Sequence, residues 1–140
     1  MDWIWSDFGY LPEEAHRIRE TVFMQEQGFC DEFDDIDTQS WHVLLYQDGR
    51  AVGTARLFSE NGTHGMHIGR VAVYKSARGG GSGSVLLQAC CEKAAQLGAK
   101  KVILGAQCRA IPFYEKNGFQ PFGDIYDEEG CPHQMMEKKL

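Results

Sequence analysis

Apolar positions recur along this chain with two different periods. From Leu11 to Val22 they fall at Leu11, Ala15, Ile18 and Val22, the spacing of one helix face, and Pro12 followed by Glu13 and Glu14 suits a first turn. The pattern predicts an amphipathic helix. Trp41 to Gln47 is rich in strand formers, Asp48-Gly49 reads as a two-residue hairpin turn, and Ala51 to Phe58 follows as a second strand. Asn61-Gly62 is another turn signal and His67 to Tyr74 a third strand, so residues 41–74 read as an antiparallel meander. A glycine-rich loop comes next, then a helix from about Gly83 to Leu97 closed by Gly98, and a short apolar strand, Val102-Ile103-Leu104. That order is a βαβ crossover. A last helix near Ile111 to Asn117 stops at Gly118, and two strands, Phe119 to Tyr126 and His133 to Lys138, flank a turn at Glu129-Gly130. No repeat or linker interrupts the order. The expectation is one α/β domain over residues 1–140, with a mixed central sheet, an antiparallel N-terminal meander and a parallel βαβ crossover.

Composition narrows the classes. With 43% hydrophobic and 24% charged residues in 140, the chain has ordinary globular make-up. Its longer apolar runs, such as Val43 to Tyr46 and Val85 to Leu87, fall far short of the roughly 20 residues a membrane span needs, so insertion is excluded. The opening Met1-Asp2-Trp3-Ile4-Trp5 has no basic stretch before an apolar core, so export is not expected. Five cysteines without CxxC spacing (Cys30, Cys90, Cys91, Cys108, Cys131) point to the reducing cytoplasm, with Cys90 and Cys91 as small apolar fillers.

The net charge of -6 is unevenly spread: residues 1–65 hold 4 basic and 13 acidic side chains, and residues 66–140 hold 10 and 7. Most of the positive charge lies between Arg70 and Lys116, which is where an anionic ligand belongs. The run Asp31-Glu32-Phe33-Asp34-Asp35-Ile36-Asp37 reads as a solvated acidic loop, or as a field that draws a cationic partner. Nucleic acid is not an expected partner, because no continuous basic face is apparent.

The most informative segment is Arg78-Gly79-Gly80-Gly81-Ser82-Gly83-Ser84, between a predicted strand and a predicted helix. Glycines let successive backbone N–H groups converge, and a helix N-terminus adds about half a positive charge, so the turn suits a pyrophosphate. A nucleotidase P-loop would need a Lys-Ser or Lys-Thr pair after the glycines, where this chain has none. A dinucleotide fold would need an acidic residue after the next strand, where this chain has Gly105-Ala106-Gln107.

With Val71-Ala72-Val73 before it, this loop resembles the (R/Q)xxGx(G/A) acetyl-CoA motif of the GNAT N-acetyltransferases. Gln107-Cys108-Arg109-Ala110-Ile111-Pro112-Phe113-Tyr114-Glu115-Lys116-Asn117-Gly118-Phe119 resembles the family's NxxAxxFYxxxGF segment, with Gln107 where Asn is usual. Residues 22–27 and 127–136 are similar to the ElaA/YjcF-like branch, so the likeness spans essentially the whole chain. The resemblance implies a GNAT-like acyl-CoA N-acyltransferase fold whose sheet splays between the strands at Arg70–Tyr74 and Val102–Gly105. It implies acetyl-CoA as donor, with the pantetheine arm along Val71, Ala72 and Val73 and the pyrophosphate on Arg78, Gly79, Gly80, Gly81, Ser82, Gly83 and Ser84. Gln107, Ala110, Phe113 and Tyr114 complete the donor side, and Tyr114 near the sulfur becomes the general acid. Glu26 and His133 are the candidate bases beside the acceptor cleft. Gln27 and Arg56 are candidate acceptor contacts, although strand alternation leaves open whether Arg56 points inward. No metal is implied, since His64-x-x-His67 and Cys131-Pro-His133 lack the remaining ligands of a zinc site.

The function expected is acetyl transfer to a primary amine of a small molecule by direct attack. The alternative is a non-catalytic acyl-CoA-binding or sensing module on the same fold. An exposed edge in the final strands leaves room for a homodimer.

Overall fold

Strand alternation sends Val43 and Leu45 to one side of the second strand and Leu44 to the other, and the molecule builds a core on each side. The computed structural model describes residues 1–30, 33–59 and 65–140; Asp31 and Glu32 of the acidic run, the Asn61-Gly62 turn and His64 lie outside the described residues. The strands are β1 (Asp2–Trp5), β2 (Ser40–Gln47), β3 (Arg50–Ser59), β4 (Gly65–Val73), β5 (Lys101–Gln107), β6 (Gln120–Pro121), β7 (Tyr126–Glu128) and β8 (Cys131–Lys139). The helices are α1 (Glu13–Arg19), α2 (Ser82–Gln96) and α3 (Ile111–Lys116). The sheet runs β1-β2-β3-β4-β5-β8-β6, with β7 also on β8. Every pairing is antiparallel except β4 with β5.

One face packs Val43, Leu45, Val52, Ala55 and Leu57 against Leu86, Leu87, Ala89, Cys90 and Ala94 of α2. The opposite face packs Leu44 and Ala72 against Ala15 and Ile18 of α1 and the following Val22 and Phe23. Burying the Val, Leu, Ile and Phe side chains among these contributes roughly 1.5–3 kcal/mol each, which fixes both helices to the sheet.

The structure departs from the sequence reading in four places. β1 is an added edge strand; its Trp3 and Trp5 pack on the α2-side core while Ile4 is exposed. The first helix is α-helical only to Arg19 and continues as a π-helical stretch over Glu20–Glu26, with Gln27 N–H donating to the Val22 carbonyl at 3.2 Å. The expected strand Phe119–Tyr126 is instead the short β6 and β7, since Pro121 has no N–H to donate and Gly123 turns the chain at φ 74°. Phe119 is buried in the core instead. Finally, β4 is bulged: Thr54 faces Ala72 and Arg56 faces Gly69, so β4 spends an extra residue, and Arg70 sits at φ 49°.

That bulge positions the site. The parallel pairing of β4 with β5 is confined to Gly65↔Lys101, Met66↔Val102 and His67↔Ile103. Beyond it β4 stays with β3 and β5 with β8, so the facing edges at Ile68–Val73 and Leu104–Gln107 have no strand partner among the described residues.

Candidate active site

The gap between β4 and β5 opens into a cleft of about 1270 Å³. Except for Gly80, all the site residues expected from the sequence line it, including Val71, Ala72, Val73, Ala110 and Phe113. The cleft's far end is the start of α2. Gly81 takes the left-handed φ of 85° as the residue before the helix, and the first intrahelical bond is Val85 N–H to the Gly81 carbonyl. The N–H groups of Ser82, Gly83 and Ser84 therefore precede the helical ladder and carry its positive end. Ser82 is tied down through its hydroxyl to the Ala77 carbonyl at 3.2 Å. At Gly83 a Cβ would lie 2.9 Å from Cζ of Phe113, so only glycine lets α3 close against α2 here. These donors, with Arg78, Arg109 and Lys116 on the walls, fit an anionic, phosphate-bearing ligand.

Arg78 is held in place rather than loose. Its Nε donates to the Val73 carbonyl at 3.0 Å, and Nη1 and Nη2 grip Glu26 at 2.6 and 2.9 Å. The hydrogen-bonded guanidinium holds the Glu26 carboxyl below the usual carboxylate range, so Glu26 is a weak base in this geometry. Gln107 Nε2 donates to Gln27 Oε1 at 2.8 Å, a second tie from the βαβ half to the end of the π-helical stretch.

Tyr114 is half-buried on α3, edge-on to both Phe113 and Phe119. Burial, with a smaller push from Cys90, drives its phenol up to about 12. It therefore keeps its proton at any physiological pH. Cys90 is raised by burial too, and Cys91 likewise, so neither is an activated thiol.

Arg56 points inward. Its Nη1 donates to Asp34 at 2.7 Å and Asp37 at 3.0 Å, and Arg19 grips the same Asp37 at 2.8 and 3.1 Å. Asp34 also meets Arg70 at 3.4 Å. Asp37 is thus not part of a solvated acidic loop but is buried in an arginine network beneath the cleft, which the exposed Asp34 joins through Arg56 and Arg70. Burial pushes Asp37 up, but Arg19 and Arg56 together outweigh it and the net shift is downward. His42, opposite Arg56 in register, faces the Asp37 carbonyl through Nε2 at 3.0 Å, whereas Trp41 turns to the other face against Phe8. With its guanidinium committed to Asp34 and Asp37, Arg56 serves the architecture of the site first.

His133 is buried on β8, with Nδ1 2.8 Å from the Cys131 carbonyl and Nε2 3.2 Å from Glu128 Oε2. Glu128 escaped the sequence reading. The signal for it was the Glu129-Gly130 turn, whose hairpin pairs Tyr126 with His133 and Glu128 with Cys131.

A mixed sheet split at a strand bulge, with a helix N-terminus at one end of the opening and a protonated tyrosine on its wall, defines an acyl-CoA-dependent acyltransferase. The chain belongs to the GNAT family: the family model described as Acetyltransferase (GNAT) domain matches residues 11–140. It is 33% identical over 129 residues to the uncharacterized N-acetyltransferase YjcF of Bacillus subtilis (strain 168), covering 90% of this chain and 91% of that one. The crystal structure of Escherichia coli ElaA superposes with a TM-score of 0.86 at 28% identity, covering 98% of each chain. That of an acyl-CoA N-acyltransferase from Pseudomonas aeruginosa gives 0.85 at 26%, again over 98% of each. No helix among the described residues is long and apolar enough to cross a membrane.

Proposed function

We propose that this single domain is a cytoplasmic N-acetyltransferase that moves the acetyl group of acetyl-CoA to a primary amine of a small molecule by direct attack. The observation that carries the reading is the cleft itself, in which one open strand edge, one helix N-terminus and the Tyr114 phenol converge. When bound, the donor supplies an activated thioester. The Val71–Val73 edge offers backbone groups to its pantetheine arm, and an amide there can hold the carbonyl oxygen as negative charge develops. The turn from Arg78 to Ser84 takes the pyrophosphate. Gln107, Ala110 and Phe113 close the donor side.

Tyr114 donates to the sulfur as the C–S bond breaks. A phenol pushed up to about 12 stays protonated while the thiolate forms; full transfer to a thiol with a pKa near 8.5 is uphill in isolation, so the hydrogen bond made during departure is its main contribution. On the acceptor side stand Gln27 and the two candidate proton acceptors, Glu26 and His133. Glu26 can serve only when Arg78 releases it. The edge strands β1 and β6 are where a homodimer would form.

The test is thiol release from acetyl-CoA with a panel of polyamines, amino sugars, amino acids and peptides. The reading expects at least one amine to exceed hydrolysis clearly, and Tyr114→Phe to lower its turnover by about 10²-fold or more while leaving acetyl-CoA affinity nearly unchanged. Cys108→Ala should retain activity. Binding of acetyl-CoA without amine-dependent release would favour the non-catalytic acyl-CoA-binding or sensing module.

A further inference from the structure

Four carboxylates line the cleft among the described residues: Glu26, Asp34, Glu128 and Glu129. Two are answered by permanent cations, Glu26 by Arg78 and Asp34 by Arg56 and Arg70. Glu129 Oε1 accepts from the Cys30 N–H at 3.3 Å. Glu128 differs, because its ionic partner among the described residues is His133, a cation only when protonated, and its side chain remains 55% exposed.

The geometry of that pair is specific. The Cys131 carbonyl at 2.8 Å requires Nδ1 of His133 to be a donor, so Nε2 is the ring nitrogen turned to Glu128. With Nε2 bare, its lone pair faces the carboxylate at 3.2 Å; with one proton added, the contact becomes a hydrogen bond. The ring cannot swing away, being 6% exposed, stacked on Tyr126 with centroids 5.6 Å apart and anchored in the β7–β8 hairpin. His133 also pairs in register with Gln107, at the end of the strand that leads into α3 and Tyr114.

We infer that Glu128 is the catalytic carboxylate of the acceptor side: it receives the ammonium of a cationic amine and takes its proton, with His133 as its positioning residue. This rests on the amine-acetylating reading above. The first N–H proton of the ammonium passes to the Glu128–His133 pair and on to solvent. The freed nitrogen pair forms the C–N bond as the C–S bond breaks, and the sulfur leaves as a thiolate hydrogen-bonded by Tyr114. The second N–H proton reaches the thiolate through water, so one proton is released per turnover. Of the four arginines lining the cleft, Arg56, Arg70 and Arg78 are engaged by Asp34, Asp37 and Glu26, and Arg109 stands with the groups assigned above to the anionic donor. An acceptor carboxylate therefore finds no uncommitted arginine among them, and the acceptor class is an amine without a neighbouring anion.

A matched pair of probes tests this: 1,4-diaminobutane and 4-aminobutanoate, equal in chain length and differing by one carboxylate. Acetyl-CoA affinity by calorimetry and thiol release are measured for the wild type, Glu128→Gln, Glu128→Asp and His133→Gln. The expectation is at least tenfold higher kcat/KM for the diamine, a loss of about 10²-fold in Glu128→Gln, and partial retention in Glu128→Asp. His133→Gln should lower kcat with KM little changed, and acetyl-CoA affinity should stay within about twofold throughout. Wild-type diamine turnover in Glu128→Gln, or preference for 4-aminobutanoate, overturns this inference alone. A wild type that binds acetyl-CoA yet releases no thiol with either amine overturns it together with its amine acceptor, whereas failure to bind acetyl-CoA strikes the functional reading first.

Discussion

Burial pushes two groups at the cleft in the same direction, Tyr114 on its wall and Asp37 beneath it, with opposite outcomes. It raises the Tyr114 phenol to about 12, and because the protonated form is the working one, raising its pKa preserves the donor as pH climbs. The pH–rate profile should show no fall attributable to Tyr114 below about pH 10, and a phenol-dependent limb near neutrality would remove its role as donor. Asp37 is buried as well, but Arg19 and Arg56 keep it ionised. Its folded pKa is depressed, so its contribution to stability is present above the unfolded value of about 3.9 and is lost as pH falls through the lower folded value. Asp37→Asn removes the carboxylate that buried Arg19 and Arg56 share, leaving Asp34 to Arg56, and should cost about 3 kcal/mol, read from denaturant unfolding. This arrangement was illegible in the sequence. Alternation places His42 and Arg56 on a face, but which face depends on Arg19 of α1, which only the tertiary fold supplies. The same limit hid Glu128, whose partner is set by a hairpin register.

At the scale of elements, the start of α2 concentrates the donor chemistry. The motif gives Gly79, Gly80 and Gly81 equal weight, but the backbone separates them: Gly81 takes φ 85°, while Gly80 avoids the left-handed region and has open space where a Cβ would go. Gly81→Ala should cost roughly 1–2 kcal/mol and weaken acetyl-CoA binding, whereas Gly80→Ala should change neither measurably in thermal unfolding and calorimetry. Equal losses would contradict the assigned geometry. Elements with a clean period were legible, including β2, β3, α2 and β5. β1 was not, because both parities of Trp3-Ile4-Trp5 are apolar and four residues show no alternation. The π-helical stretch and the Arg70 bulge were also invisible, since each breaks the period by which elements are recognised.

Across the whole molecule, the site exists because distant segments meet over one gap in the sheet. Arg78 and Glu26 are 52 residues apart and Gln107 and Gln27 are 80 apart, yet both pairs tie the α1 side to the βαβ half. The two donor motifs were readable as local patterns, and their meeting at a split between β4 and β5 came from the family resemblance rather than from periodicity. The cross-cleft ties could not be read, because they follow from how the two halves close on each other. The central claim is that this gap holds an acyl-CoA, and the most direct measurement is the thermal midpoint of the purified protein with acetyl-CoA, ATP or NADH at equal concentration. A ligand bound only by the folded state adds about 2.7 kcal/mol at 100 times its Kd, a readily visible shift. The account predicts a rise with acetyl-CoA and none with NADH or ATP; no rise with acetyl-CoA, or an equal rise with all three, would contradict it.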